Sequence, residues 1–318
     1  MARILTLTLN PALDLTLRLD RLEPGQVNRS LAQVSHAAGK GVNVAQVLAD
    51  LGHSLSVAGF LGADNAEAFE TLFARHGFVD AFVRVPGETR SNIKLAEADG
   101  RITDINGPGP VIDTAAQGEL MARLESVAPG HDLAVVAGSL PRGVEPGYLA
   151  ELITRLKHLG LKVALDTSGE ALRAGLLAAP WLIKPNTDEL GELRGRAVHD
   201  IEFQREEANR LQAQGVEQVV ISQGAAGVSW FGPGLALHAQ PPRVVVASTV
   251  GAGDSLLAGM VHGLLSGWPA ARSLRHATAI AAQTVTQVGF GISDAAQLQQ
   301  LEGAVVVQAL PEQQEVSR

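Results

Sequence analysis

No cysteine occurs among the 318 residues. Disulfides, thiolate nucleophiles and zinc–thiolate centres are therefore excluded. The nine histidines are scattered, with no pair at i, i+4 spacing, so a histidine-built metal site has no support. No apolar run reaches the ~18–20 residues that span a bilayer, and no signal-peptide pattern precedes the strand-like run Ile4–Leu9. Lys and Arg nowhere cluster and the formal net charge is −8, which argues against nucleic acid or an anionic membrane surface as the main partner. No Gly-x-x-x-x-Gly-Lys-Ser/Thr run is present, which excludes a Walker-type phosphate loop. The remaining composition, 46% apolar and 18% charged, is that of a globular chain long enough to bury a large core. A cytoplasmic enzyme is expected.

The most informative stretch is Ser248–Gly259, which reads Ser-Thr-Val-Gly-Ala-Gly-Asp-Ser-Leu-Leu-Ala-Gly. It follows the β-branched run Val244-Val245-Val246, read as a strand, and opens a helical pattern through Leu256, Leu257, Met260, Val261, Leu264 and Leu265. Gly251 and Gly253 permit backbone conformations and close approaches that a side chain forbids. The first amides of a helix lack intrahelical partners. With the helix dipole they suit a phosphate or another developing anion. Asp254 adds a carboxylate that a simple phosphate cradle does not need. At that position it can take a proton from an attacking hydroxyl while the amides stabilise a transferring phosphoryl group. Taken alone, the same residues equally suit an ordinary capped helix start.

Elsewhere, Leu13, Leu15, Leu17 and Leu19 alternate with Asp14, Thr16, Arg18 and Asp20, the pattern of a strand wet on one face. Gly39-Lys40-Gly41-Val42-Asn43 leads into a helix; its lysine between glycines suits an anion or a sugar hydroxyl, or else a plain capped helix entry. A strand at Leu55–Leu61 and a helix at Ala66–His76 begin a β/α alternation that implies a parallel sheet. Short strands at Ala81–Val85, Asn92–Ala96 and Arg101–Ile105 interrupt it. Together with Leu13–Leu19 they are expected to form a small separate sheet, with Arg90, Asn92 and Lys94 crowding its middle. The alternation resumes at Thr114. Strand ends then carry Gly138-Ser139-Leu140-Pro141, Lys184-Pro185-Asn186 and Ser222-Gln223-Gly224-Ala225-Ala226-Gly227, and in open α/β sheets ligands gather at such ends. Asn186 and Glu189, one helical turn apart, are either oxygen ligands for Mg²⁺ or a helix cap.

Taken together, these stretches resemble the PfkB carbohydrate kinases over nearly the whole chain. Gly39–Asn43 is similar to that family's N-terminal signature and Thr249–Asp254 to its C-terminal one. The resemblance implies a ribokinase-like α/β fold, a central and mostly parallel sheet flanked by helices. A small inserted β-sheet lid would come from about residues 13–35 and 81–107, within a single kinase domain spanning 1–318. Leu9–Asp14, Ala38–Gly41, Asn92–Leu95, Thr103-Asp104 and Ser248–Val250 are most like the branch that makes fructose 1,6-bisphosphate from fructose 1-phosphate and ATP. Tagatose-6-phosphate kinases and the minor 6-phosphofructokinases share much of this.

Carried over residue by residue, the resemblance implies that Asp254 is the base and that Gly251, Ala252 and Gly253 supply the anion hole. Asp14, Gly39, Lys40, Asn43 and Ser139 would hold the sugar. Arg90 and Lys94 would meet its phosphate, with Arg29 reaching from a neighbouring subunit's lid. Asn186, Ser222, Gly224, Gly227, Thr249 and Val250 would face ATP beside Gly251 and Gly253, and Glu189 would order Mg²⁺ indirectly. A homodimer joined through the lid sheets is implied as well. Ser248 stands where many members have Asp, which puts monovalent-cation activation in doubt. Two competing readings are a kinase for an uncharged sugar or nucleoside and a binding protein without catalysis. The basic set Lys40, Arg90 and Lys94 speaks against the first, and the intact Gly-Ala-Gly-Asp against the second.

Overall fold

Two sheets of unequal size organise the chain in the computed structural model, which describes residues 1–196, 198 and 200–311. The first half contains β1 Arg3–Thr8, β2 Ala12–Leu19, β3 Ala32–Ala38, α1 Lys40–Asp50, β4 Ser54–Gly62, α2 Glu67–His76, β5 Val79–Val85, β6 Ser91–Glu97, β7 Ile102–Asn106, α3 Thr114–Val127, β8 Leu133–Ala137 and α4 Pro146–His158. The second contains β9 Lys162–Asp166, α5 Gly169–Leu176, β10 Leu182–Ile183, α6 Thr187–Arg194, α7 Ile201–Ala213, β11 Gln218–Ser222, β12 Val228–Gly232, β13 Leu235–Gln240, α8 Ala252–Leu265, α9 Ala270–Thr284, α10 Ala295–Ala304 and β14 Val306–Ala309. Among the described residues no helix is long and apolar enough to cross a membrane.

The main sheet has ten strands in the order β14-β13-β12-β11-β10-β9-β8-β1-β4-β5. It is parallel from β11 to β5, and β12, β13 and β14 extend it antiparallel. The sequences explain this. Leu-Ala-Val-Val-Ala of β8 is buried at every position, and β1 at all but its first; continuous apolar runs belong to strands covered on both faces. α1, α8 and α9 pack on one face through Val44, Leu257 and Ile280, while α3, α4 and α7 cover the other through Leu120, Leu152 and Leu211.

From β1 the chain steps outward to β4 and β5 on one side and, from β8 onward, outward on the other. The strand order therefore reverses between β1 and β8. Ligands of such sheets bind outside the carboxyl ends of the strands at this point. Asn10 and Ser139 follow the ends of β1 and β8 there, Asp166 ends β9 and Lys184 follows β10.

The smaller sheet has the order β3-β2-β6-β7, with β2 parallel to β6. Its register sets Asp14 between His36 and Asn92, and Thr16 beside Lys94, which faces Asp104. One face is accordingly polar, while Leu15, Leu17, Ile93 and Leu95 point to the other.

Two expectations are corrected. Val79–Val85 does not belong to the small sheet but pairs with β4 at the edge of the main one. Ala81, Phe82 and Val83 are buried in succession, so both faces are covered, and Phe82 stacks on Phe73 of α2 at 5.5 Å. Val244–Val246 is not a strand, and Val245 is 89% exposed. Among the described residues no strand pairs with it; instead the amides of Ala247 and Ser248 donate to the carbonyl of Val285 just past α9.

Candidate active site

Gly251 turns the chain into α8 with φ +80°, a left-handed conformation in which a Cβ would also lie 2.7 Å from the ring of Phe290. The helix begins at Ala252, and the carbonyl of Gly251 accepts from Ser255 at 2.9 Å. The amides of Ala252, Gly253 and Asp254 have no carbonyl one turn back and are open to an anion. A Cβ on Gly253 would stand 3.2 Å from Nζ of Lys184, so a side chain there would crowd the ammonium group. Ser248 Oγ accepts the amide of Val250 at 3.2 Å, so Ser248 closes this turn on itself.

Asp254 is buried in the first turn of α8, and its Oδ2 accepts from Nδ2 of Asn43 at 2.8 Å. Asn43 Oδ1 is buried with no partner, leaving an acceptor to which a ligand hydroxyl can donate. Asn43 is brought there by α1, whose start lies tight against β1: a Cβ on Gly41 would stand 2.4 Å from Oγ1 of Thr8, and one on Gly39, at φ +136°, 2.6 Å from Cγ2 of the same residue. Burial, then the negative charge of Asp166, pushes the Asp254 carboxyl up to about 6, against the opposing pull of Asn43, Lys40 and Lys184.

Asp166 is 1% exposed and contacts two ammonium groups, Lys40 Nζ at its Oδ1 and Lys184 Nζ at its Oδ2, each at 3.1 Å. Burial works to raise its carboxyl, but Lys184 and Lys40 together hold it below the usual range. Lys40 is likewise opposed by burial, and the attraction of Asp166, Asp254 and Glu189 keeps it above its ordinary value. Glu189 Oε1 lies 4.0 Å from Lys40 Nζ.

Asn186 and Glu189 form a capping box on α6. Asn186 Oδ1 accepts from the Glu189 amide at 2.7 Å, and Glu189 Oε2 accepts from the Asn186 amide at 2.9 Å. This occupies one oxygen of each and leaves Glu189 Oε1 toward the lysine. Asn186 bridges to Ser222 across the ends of β10 and β11. In the following turn Gly224 has φ +54° and open space around it, whereas Gly227 is required by packing, since a Cβ would meet the carbonyl of Ala239 at 2.3 Å.

On the small sheet, Asp14 accepts from Asn92 Nδ2 at 3.0 Å and lies 3.7 Å from Lys94 Nζ. Arg90 donates to the carbonyls of Pro11 and Asn10 and to Asn92 Oδ1. Burial lowers its guanidinium, with partial opposition from Asp14. Asn10 Nδ2 in turn donates to Ser139 Oγ at 3.0 Å. Arg90 thus fastens the turn after β1 and has two N–H groups to spare. A cleft lined by Asp14, His36 and Lys94 on one side and by Ser248, Val250 and Phe290 on the other separates this sheet from the loop before α8.

Most residues expected at the site from sequence therefore stand around one region. Asp254, Asn43, Lys40 and Glu189 form its centre, Asp14 and Lys94 line the cleft across from Ser248 and Val250, Arg90 is tied to Asn92 beside Asp14, and Asn186 and Ser222 flank Glu189. Arg29, expected in a neighbouring subunit's site rather than in this one, is exposed between β2 and β3 and makes no side-chain hydrogen bond or ion pair among the described residues. Sequence reasoning missed Asp166, and it marked the strand end at Lys184 without assigning that residue a role. The signal was a charge that follows apolar strand residues, in Val-Ala-Leu-Asp and in Leu-Ile-Lys.

The family model described as pfkB family carbohydrate kinase matches residues 7–297. The chain is 46% identical over 308 residues to a 1-phosphofructokinase of Vibrio cholerae, covering 97% of each protein. It is 44% identical over 306 residues to 1-phosphofructokinase of Escherichia coli K12, covering 96% of this chain and 98% of that one. Among solved structures it is similar to phosphofructokinase-2 from Escherichia coli in complex with fructose-6-phosphate, with a TM-score of 0.84, 28% identity and coverage of 96% of this chain and 99% of the other.

Proposed function

The chain belongs to the pfkB family of carbohydrate kinases, and on that footing we propose that it transfers the γ-phosphoryl group of ATP to the free primary hydroxyl of fructose 1-phosphate, giving fructose 1,6-bisphosphate and ADP. The observation that carries this reading is the buried Asp254 at the head of α8, beside open amides and two lysines. The hydroxyl oxygen forms a bond to the γ-phosphorus, the bond from that phosphorus to the bridging oxygen of ADP breaks, and the hydroxyl proton passes to Asp254. The amides of Ala252 and Gly253 and the ammonium groups of Lys40 and Lys184 stabilise charge on the group in flight. Asp14, Asn43 and Ser139 hold the sugar; Lys94 and the spare N–H groups of Arg90 take its phosphate.

The residues present fit a nucleotide with Mg²⁺. The space in front of Gly253 that a side chain would fill opens on Lys184, and Oε1 of Glu189, outside the capping box and 4.0 Å from Lys40 Nζ, suits a water-mediated hold on a hard cation. Among the described residues no three His, Asp or Glu side chains form a metal cage, which agrees with an ion that arrives on the phosphates. When bound it neutralises charge on them. Asn186, Ser222, Gly224, Thr249 and Val250 flank the nucleotide.

The apolar face of the small sheet, with Leu31 and Ile105 exposed nearby, supports a homodimer formed through the lids, in which Arg29 reaches the partner's site; a monomeric mass by sedimentation at micromolar concentration would contradict it.

The direct test of the base is a pH profile. A carboxyl pushed up to about 6 is protonated below that pH and cannot accept the hydroxyl proton. kcat/KM is expected to fall about tenfold per pH unit below it and to level off above. A profile flat down to the ordinary Asp range would remove Asp254 from the role of base.

A further inference from the structure

The charged centre holds a carboxylate for which the proposed chemistry has no direct use. Asp166 neither heads a helix nor faces the open amides, yet it is almost wholly buried, and each of its oxygens contacts a different ammonium group at 3.1 Å. Those lysines come from distant parts of the chain: Lys40 is the first residue of α1, and Lys184 follows β10. Buried ion clusters of this kind can often be replaced by apolar side chains at no loss of stability, so fold stability alone is a weak reason for one. Its place is informative, because it ends β9, one strand beyond the reversal of strand order between β1 and β8, with Lys184 against Gly253 on one side and Lys40 within reach of Glu189 on the other.

We propose that Asp166 is a positioning residue for phosphoryl transfer: its two oxygens hold Lys40 and Lys184 at a fixed separation, so that both ammonium groups face the group in flight. This rests on the kinase reading above and deepens it. Lys40 enters from the sugar-binding helix and Lys184 from the strand end that leads into the capping box of α6, so one carboxylate aligns both halves of the site. The charged groups facing Asp254 are then Lys40 from α1, Asp166 from β9 and Lys184 after β10, with Glu189 of α6 beyond Lys40. In this set Asp166 also acts on the base, since after burial it is the main cause keeping the Asp254 carboxyl high.

The test is kcat/KM and kcat against pH for wild type, Asp166→Asn and Asp166→Glu, with thermal unfolding of each and Asp254→Asn as a control. Asp166→Asn removes a negative neighbour from Asp254 and the shared counter-ion from both lysines. The acid limb of its profile is expected to move to lower pH, because Asp254 loses its negative neighbour, a change that mere loosening of the fold does not produce. Asp166→Glu keeps the charge but displaces the oxygens by one methylene, so its acid limb is expected to stay while kcat falls about ten- to a hundredfold. An unmoved acid limb in a folded Asp166→Asn protein, or wild-type kcat in Asp166→Glu, overturns the proposal. Should Asp166→Asn not fold, the glutamate variant decides alone. Near-normal turnover of Asp254→Asn would instead sink the kinase mechanism itself, whatever Asp166 does.

Discussion

Asp254→Asn is expected to lower kcat by ~10²–10⁴, about 3–5 kcal/mol of barrier, with the KM for ATP close to wild type. The substitution keeps the shape and an oxygen that can accept from Asn43, and it leaves the α8 amides and both lysines untouched. Only the capacity to take a proton goes. Stability follows the opposite course. The folded-state value of about 6 lies above the ordinary 3.8 of an Asp, so the folded protein binds this proton more tightly than the unfolded chain does. The contribution of Asp254 to wild-type stability therefore declines as pH rises from about 3.8 through 6. The neutral amide carries no such cost, and the variant is expected to unfold at a higher temperature than wild type at neutral pH. Steady-state kinetics and thermal unfolding on one preparation separate the two effects; a slow enzyme that is also less stable would point to damage at the helix start.

Lys184→Met is expected to act on both rate and fold. Lys184 Nζ lies 3.2 Å from where a Cβ on Gly253 would stand, beside the amides proposed to meet the transferring group, and loss of one such stabilising group is worth ~10²–10³ in kcat. The methionine fills a similar volume, but the buried Asp166 is left with Lys40 as its single counter-ion. Breaking a buried ion pair by removing one partner costs about 3–5 kcal/mol. That range is an upper figure here, because the remaining lysine still compensates the carboxylate. A denaturant midpoint well below wild type, together with the loss of kcat at saturating ATP, checks the assignment. Unchanged kcat would place Lys184 in a structural role only.

How far the fold could be read from sequence depended on how local its causes were. α3 starts at Thr114, the residue at which the sequence resumes its β/α alternation, because its apolar spacing and turn residues are self-contained. β3, Ala-Gln-Val-Ser-His-Ala-Ala, is mostly exposed and has no clear period; it is a strand because β2 lies beside it. Val244–Val246 shows the converse, since β-branched residues with no partner remain irregular. β14 similarly exists through its pairing with β13.

The site divides in the same way. Gly251, Gly253 and Asp254 are legible because a glycine turn, free amides and a carboxylate sit within a few residues. Lys40 stands out between its glycines for the same reason. Its tie to Asp166 spans 126 residues of chain, and only the order of strands brings the two together. The Asn186–Glu189 spacing was ambiguous between a cap and a metal pair. The cap is formed, yet it leaves one carboxylate oxygen outside it, toward Lys40, so the two readings do not exclude each other.

The central claim is the identity of the acceptor, and the most direct test is ATP/Mg²⁺-dependent turnover of the purified protein on fructose 1-phosphate, fructose 6-phosphate and tagatose 6-phosphate under one set of conditions. The account predicts a kcat/KM for fructose 1-phosphate at least about tenfold above either 6-phosphate, corresponding to ~1.4 kcal/mol of transition-state discrimination. A preference for either 6-phosphate would contradict it and would reassign Arg90 and Lys94 to a phosphate at the other end of the sugar.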